Sequence, residues 1–270
     1  MIFQYQEKPK KPLFTALEYV AVIVFWVAIW FLAARATGEE LLLPSPLAVA
    51  ERMSGLVTTS EFWQITFESL WRIICGILLG VALGVVMGFI TAAIPFLYKL
   101  FRPLLTVIRA TPVASFIILA IIWIGRDSLP TFIAALMVLP IVWGNMYEGI
   151  NNVDVQLLEV AKVYNFSPVK KIRRLYLPHI SPYFSASLKT SIGLAWKAGI
   201  AAEILTLPPI SIGKQLSDAK IYLETTDLFA WTLTVIILSL LLELVFIQGV
   251  PRGYSLIKRR ITHRSKAVTA

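Results

Sequence analysis

Six apolar runs separated by short polar stretches dominate the sequence: Leu13–Ala34, Leu70–Ala93, Val107–Ile124, Leu129–Ile150, Phe184–Leu207 and Leu228–Val250. Each is long enough to cross a bilayer core as a helix. The pattern predicts an all-α, polytopic membrane protein with about six spans over residues 13–250, a polar tail at 1–12 and a basic tail at 251–270. The first run is too long for the core of a signal peptide and reads as an uncleaved span, despite the small residues Ala34 and Ala36 at its end. Between the first two spans, Thr37–Phe67 is amphipathic and acidic, with Glu39, Glu40, Glu51 and Glu61 against Arg52. In the second run Gly76, Gly80, Gly84 and Gly88 recur every four residues, a ridge along which another helix can approach closely. Packing within the chain is the first expectation for that ridge, and a seam between two copies the second. Pro112 is expected to bend or open the first turn of the third span.

One polar interruption stands out. Residues 155–178 predict a helical elbow: a helix over Val155–Tyr164, a left-handed stop at Asn165, and a second helix opened by Ser167 as N-cap with Pro168 at its first position. Pro178 is expected to end that second helix.

Composition supports the membrane reading. Hydrophobic residues make up 57% and charged residues 15% of the 270, with a mean hydropathy of +0.75; a soluble domain would carry about a quarter charged residues. The net charge of +9 is explained by its distribution before any nucleic-acid partner is needed. Seventeen Lys and Arg fall in the N-tail, the 94–109 region, the elbow and the C-tail; only four (Arg52, Arg126, Lys214, Lys220) fall in the alternate loops. The excess of positive charge predicts that both termini and the elbow are cytoplasmic. A single cysteine, Cys75, excludes disulfides, and two distant histidines leave no histidine-based metal site. Gly213-Lys214 lacks the rest of a phosphate loop, since Pro208 stands at the first glycine position and Gln215 at the Ser/Thr position. No catalytic constellation is visible, so the chain reads as a non-enzymatic membrane subunit with no cofactor of its own.

Glu159, Ala161, Asn165, Leu175, Leu177 and Pro178 carry a resemblance. Their spacing is similar to the signature loop of the integral-membrane subunits of binding-protein-dependent ABC importers: Glu-Ala-Ala, three residues, Gly, nine residues, Ile, any residue, Leu-Pro. Val160 replaces the first alanine, Asn165 the glycine and Leu175 the isoleucine; asparagine is the next-best residue for a positive φ. The likeness is strongest from Pro140 to Pro178. Leu41–Val49, LLLPSPLAV, resembles the segment after the first span in the nitrate, sulfonate and taurine branch of these permeases. The resemblance implies a type I importer fold and a bacterial cytoplasmic-membrane location. It implies a second permease copy, two ATP-binding subunits holding ATP and Mg, and an extracytoplasmic substrate-binding protein. Glu159, Ala161, Asn165, Ser167, Pro168, Leu177 and Pro178 would then form the coupling contact with the ATPase. Glu159 is expected to fix the elbow from within, and Ala161 to sit where only a small side chain fits. The branch implies a small polar or anionic solute of the nitrate, sulfonate, taurine or bicarbonate type, although related permeases carry thiamine-precursor pyrimidines.

Charge near the bilayer centre costs about 2.5–3.5 kcal/mol on insertion scales, so such residues face a cavity or a partner. Lys197, Glu203 and Arg109 are the candidates for a translocation path. Lys197 and Glu203 lie about 120° apart around one helix, too far to pair with each other. Two readings of Lys197 remain open: contact with the solute, or a structural ion pair with Glu243 or Glu148. A rival class, a secondary transporter or channel working without ATP, would leave the elbow without a purpose and calls for repeats that the sequence does not show.

The charge distribution gives a direct test of topology. A cysteine placed at Ser60 or Thr225 is expected to react with an impermeant thiol reagent from outside, and one at Ser167 to stay unlabelled. The reverse pattern would invert the orientation.

Overall fold

The computed structural model describes residues 12–266, with side chains described over 17–246. All regular structure among them is helical. The elements are α1 (Pro12–Thr37), α2 (Pro46–Val57), α3 (Ser60–Ala93), α4 (Pro95–Ala110), α5 (Val113–Ala120), α6 (Leu129–Asn151), α7 (Val155–Val163), α8 (Pro168–Lys171), α9 (Leu177–Thr206), α10 (Ile212–Ile221) and α11 (Thr225–Lys266). The N-tail expectation falls almost wholly outside the described residues, whereas the C-tail continues α11 helically as far as Lys266, with its side chains outside the described ones.

Four helices among the described residues, α1, α3, α6 and α11, are long and apolar enough to cross a membrane. A fifth crossing is supplied if the bent pair α4–α5 counts as one span. The 30-residue α9 has ample length but carries Lys189, Lys197 and Glu203; counting it restores the expected six. Several boundaries differ from the sequence reading: α9 starts at Leu177 rather than Phe184, and α11 runs on to Lys266 rather than stopping at Val250. The third span is not a helix over Val107–Ile124: α4 stops at Ala110, Thr111 is extended, and α5 leaves at 103°. Pro112 has no N–H to continue α4 and biases the residue before it away from helical geometry. The second span starts earlier than Leu70, because Thr59 caps α3 by accepting from Phe62 N at 3.3 Å.

The core is the sandwich of α3, α6 and α9. Ile73 and Ile77 of α3, Val138 and Val142 of α6, and Ile192, Trp196 and Ile200 of α9 form one buried cluster. The glycine ridge lies against α6 of the same chain. A Cβ at Gly76 would stand 2.3 Å from the Thr131 carbonyl oxygen, at Gly80 2.6 Å from that of Ala135, and at Gly88 2.5 Å from Met146 Cβ. Only glycine allows this approach of backbone to backbone. Polar side chains complete the packing: Trp143 Nε1 donates to Thr91 Oγ1 at 2.8 Å, and Trp196 Nε1 donates to the Val235 carbonyl of α11 at 3.1 Å.

By contrast, α1 is peripheral. Its 19–32 stretch exposes a run of Val, Ile, Phe, Trp and Leu, as a helix bathed in lipid should. It is held to the rest mainly near its Thr37 end, where Trp30 donates to the Pro44 carbonyl at 3.1 Å and its ring stacks 5.8 Å from Phe229. The Arg52 guanidinium forks onto Asp227, joining α2 to α11, with Nη2 to Oδ2 at 2.6 Å.

The ridge supplies a prediction. Gly76→Val is expected to lower the melting temperature of the detergent-solubilised protein strongly, because the obstructing atom is backbone. Gly55→Ala, in α2 with nothing within 4 Å of its Cβ position, is expected to be neutral or mildly stabilising. Equal losses in both would show that the ridge is not the seam.

Candidate functional site: the elbow and the open face of α9

The elbow forms as its local sequence dictates. Asp154 caps α7, accepting from Gln156 N at 2.8 Å. The helix closes in a Schellman arrangement: Phe166 N donates to the Ala161 carbonyl at 2.9 Å and Asn165 N to that of Lys162 at 3.1 Å, with Asn165 at φ 47°. Asparagine thus fills the left-handed position expected of it. Ser167 caps α8, accepting from Lys170 N at 3.4 Å, and Pro168 takes the first helical position. Lys170 Nζ lies 4.1 Å from the centre of the half-buried Phe166 ring, tying α8 back across the corner.

Two expectations for the elbow are corrected. Pro178 does not end the second helix. The chain runs helically from Pro168 to Thr206, and a π-helical turn at Ile172–Tyr176 precedes Leu177-Pro178. Proline has no N–H and its ring crowds the carbonyl four residues back; a wide turn, in which Leu177 N donates to the Ile172 carbonyl, absorbs that conflict without breaking the rod. Leu177 and Pro178 therefore open α9, and both are exposed. Glu159 does not fix the elbow from within: its side chain is exposed, with no hydrogen bond or ion pair among the described residues. Ala161 is the buried member of α7, at 1% exposure. Around it Val160, Val163, Tyr164 and Val169 stand exposed, from 49% to 78%, beside Lys162 and Lys170. The elbow thus carries an apolar crown rimmed by positive charge.

The candidate path residues separate. Glu203 lies on no open face. It is fully buried where α9, α3 and α10 meet, and there it accepts from Arg72 Nη1 at 2.6 Å, Ser69 Oγ at 2.8 Å and Gly213 N at 3.2 Å. Ser69 also accepts from Ile212 N at 2.9 Å, and Arg72 Nη2 donates to the Ile210 carbonyl at 3.3 Å. The carboxylate is a three-helix clamp. Its Arg72 borders a cavity of about 490 Å³ with Glu68, Trp71 and Asp127. Sequence reading missed Ser69, Arg72 and Gly213, although a lone Arg and a lone Glu at the same end of two apolar runs were a usable signal. Arg109 is exposed at the end of α4 and donates through Nη2 to the Pro140 carbonyl of α6 at 2.5 Å, packed over Gly144. It braces the break before α5. Lys197 is exposed, and it pairs with neither Glu243 nor Glu148, both exposed as well. No group of acidic, His and Cys residues among those described could hold a metal ion.

A family described as binding-protein-dependent transport system inner membrane component matches residues 80–250, the stretch that holds the bent span, the elbow and α9. The chain belongs to that family. This permease is 31% identical over 201 residues to an Escherichia coli protein whose name describes aliphatic sulfonates transport, covering 74% of this chain and 76% of that one. It is 30% identical over 161 residues to a bicarbonate transport system permease protein of Synechocystis, covering 58% and 56%. Among solved structures it resembles a chain of an amino acid ABC transporter, with a TM-score of 0.55 at 17% identity over 76% of this chain and 98% of that one. A chain of the MetNI methionine ABC transporter matches with a TM-score of 0.55 at 13% identity, over 69% and 93%. These likenesses show a type I importer fold, and the permease is the membrane subunit of an ABC importer.

The clamp yields a stability prediction. Arg72→Met strands a buried carboxylate and is expected to cost about 3–5 kcal/mol, read as thermal unfolding of the purified permease. Adding Glu203→Gln to it is expected to recover most of the loss. If the double variant were as unstable as the single, the pair would not be the clamp.

Proposed function

We propose that this permease forms the pathway for a small polar or anionic solute of the sulfonate, nitrate, taurine or bicarbonate type and is driven by separate ATPase subunits. The observation that carries the coupling part is the elbow: a rigid corner with a buried alanine inside and an exposed apolar, positively rimmed crown outside. Such a crown suits a groove on a soluble partner better than open solvent. Two ATP-binding subunits, with ATP and Mg bound there, would press on α7 and α8 in the cytoplasm. Both termini lie on that side, an extracytoplasmic binding protein delivers the solute to the other, and two copies of the permease face each other across the pathway. Ala161, Asn165, Ser167 and Pro168 hold the elbow's shape, and Leu177-Pro178 join it to α9. Lys197, on the open face of α9, is the solute-facing residue of the three candidates; Arg109 and Glu203 serve the frame. The relatives named for sulfonate and bicarbonate transport support the solute class; a neutral pyrimidine is the alternative cargo.

Val163→Asp tests the coupling, because Val163 is 78% exposed and its replacement leaves the fold alone. Cells carrying it are expected to insert the permease normally but to lose ATPase co-purification and uptake by at least tenfold. Ala161→Trp, which displaces α7 from its seat, is expected to have the same effect. Normal uptake by both would sink the coupling role of the elbow.

A further inference from the structure

The open face of α9 is unlike any lipid-facing surface of this chain. The exposed side of α1 over 19–32 is bulky and apolar, whereas the exposed positions of α9 over 186–197 are Ala186, Lys189, Thr190, Leu194 and Lys197. Lys189 lies about 18 Å and Lys197 about 30 Å along the helix from Leu177, so they stand about 12 Å apart. Gly193 lies between them, with nothing within 4 Å of its Cβ position. Neither lysine has a hydrogen bond or ion pair among the described residues. The one carboxylate of the same helix, Glu203, is buried nearer its far end and committed to Arg72 and Ser69.

A helix that hides its one acid inside and leaves two ammonium groups open at membrane depth needs negative charge from elsewhere. Resting on the reading of α9 as a wall of the pathway, we infer that Lys189 and Lys197 are two successive rungs for an anion, with the Gly193 gap as the step between them. Lys189 is thereby a second specificity-determining residue. The rungs select for negative charge, and so favour an anion over a neutral pyrimidine as cargo. One chain supplies only one wall; a second copy related by twofold symmetry supplies the same two lysines opposite. Thr190, whose hydroxyl donates to the Ala186 carbonyl at 3.1 Å, is turned toward its own backbone and leaves the ammonium groups as the available donors. Two rungs at this spacing let an ion be handed on rather than trapped, because attraction is shared between sites and no single site must be deep.

The test uses the full-length permease with its native thiol removed by Cys75→Ser and Lys197→Cys as the reporter. Two methanethiosulfonate reagents are compared, one bearing a sulfonate and one a trimethylammonium group. The sulfonate reagent is expected to react faster, and adding Lys189→Gln is expected to lower the ratio of the two rates by about threefold to a hundredfold, because a unit charge at 12 Å changes each rate by about twofold to tenfold, in opposite senses for the two reagents, between water and protein-surface screening. The mirror pair, Lys189→Cys with Lys197→Gln, is expected to behave likewise. Failure of both reagents to react would place the lysines in lipid and overturn the inference; so would a ratio that ignores the second lysine. The elbow variants report on coupling separately. Loss of coupling with an intact ratio would therefore break the ATPase reading and leave the rungs standing.

Discussion

The close approach of α3 to α6 is the constraint on which the rest of the permease depends. In lipid no hydrophobic effect drives two apolar helices together, so contact must come from dispersion at short range and from hydrogen bonds. Gly76, Gly80, Gly84 and Gly88 remove four side chains from one line of α3 and let the backbone of α6 fill it. With α6 seated there, its other side is free for α9, where Trp196 and Ile192 pack. A small second cluster, Ile117 and Ala120 of α5 against Ile133 of α6 and Ala198 of α9, then fixes the bent span. The elbow hangs between α6 and α9, so its position is inherited from the same seam.

Charge is handled in two opposite ways along α9. Glu203 is buried among a guanidinium, a hydroxyl and a backbone N–H, every one of which donates to it. Such saturation makes a buried carboxylate tolerable and makes each donor hard to replace. Lys189 and Lys197 have nothing comparable, and the contrast within one helix separates frame from function more sharply than the presence of charge does. Arg109 belongs with the frame: its bond to the Pro140 carbonyl steadies α4 just before the chain breaks at Pro112.

Much of this was legible from the sequence where information is local. The fourth apolar run, Leu129–Ile150, matches α6 to within a residue, and Ser167-Pro168 and Asn165 do what their side-chain chemistry requires. The readings that failed needed partners distant in sequence or a choice among legal geometries. Glu203 and Arg72 are 131 residues apart; their places at the same end of two apolar runs hinted at a pair, but Ser69 and Gly213, which complete the clamp, carry no charge to mark them. Glu159 was read by analogy of motif, and motif spacing does not say which side of α7 is outward. Proline usually stops a helix, but at Pro178 a π-helical turn offers a second way to satisfy the same steric demand, and the sequence alone does not choose between them.

That wide turn sets how motion can travel. A π-helical turn holds one residue more than regular α spacing, so ironing it out would spin everything beyond it by about 100° and shift it by about 1.5 Å. Pro178 opposes the change, because in regular spacing its ring would press on the Arg174 carbonyl and no N–H would replace the lost bond. Elbow and span are therefore keyed against rotation, as a splined shaft is. A push on α7 and α8 reaches the far end of α9 as tilt or slide, and the two lysines keep their compass bearing while their height and lean change.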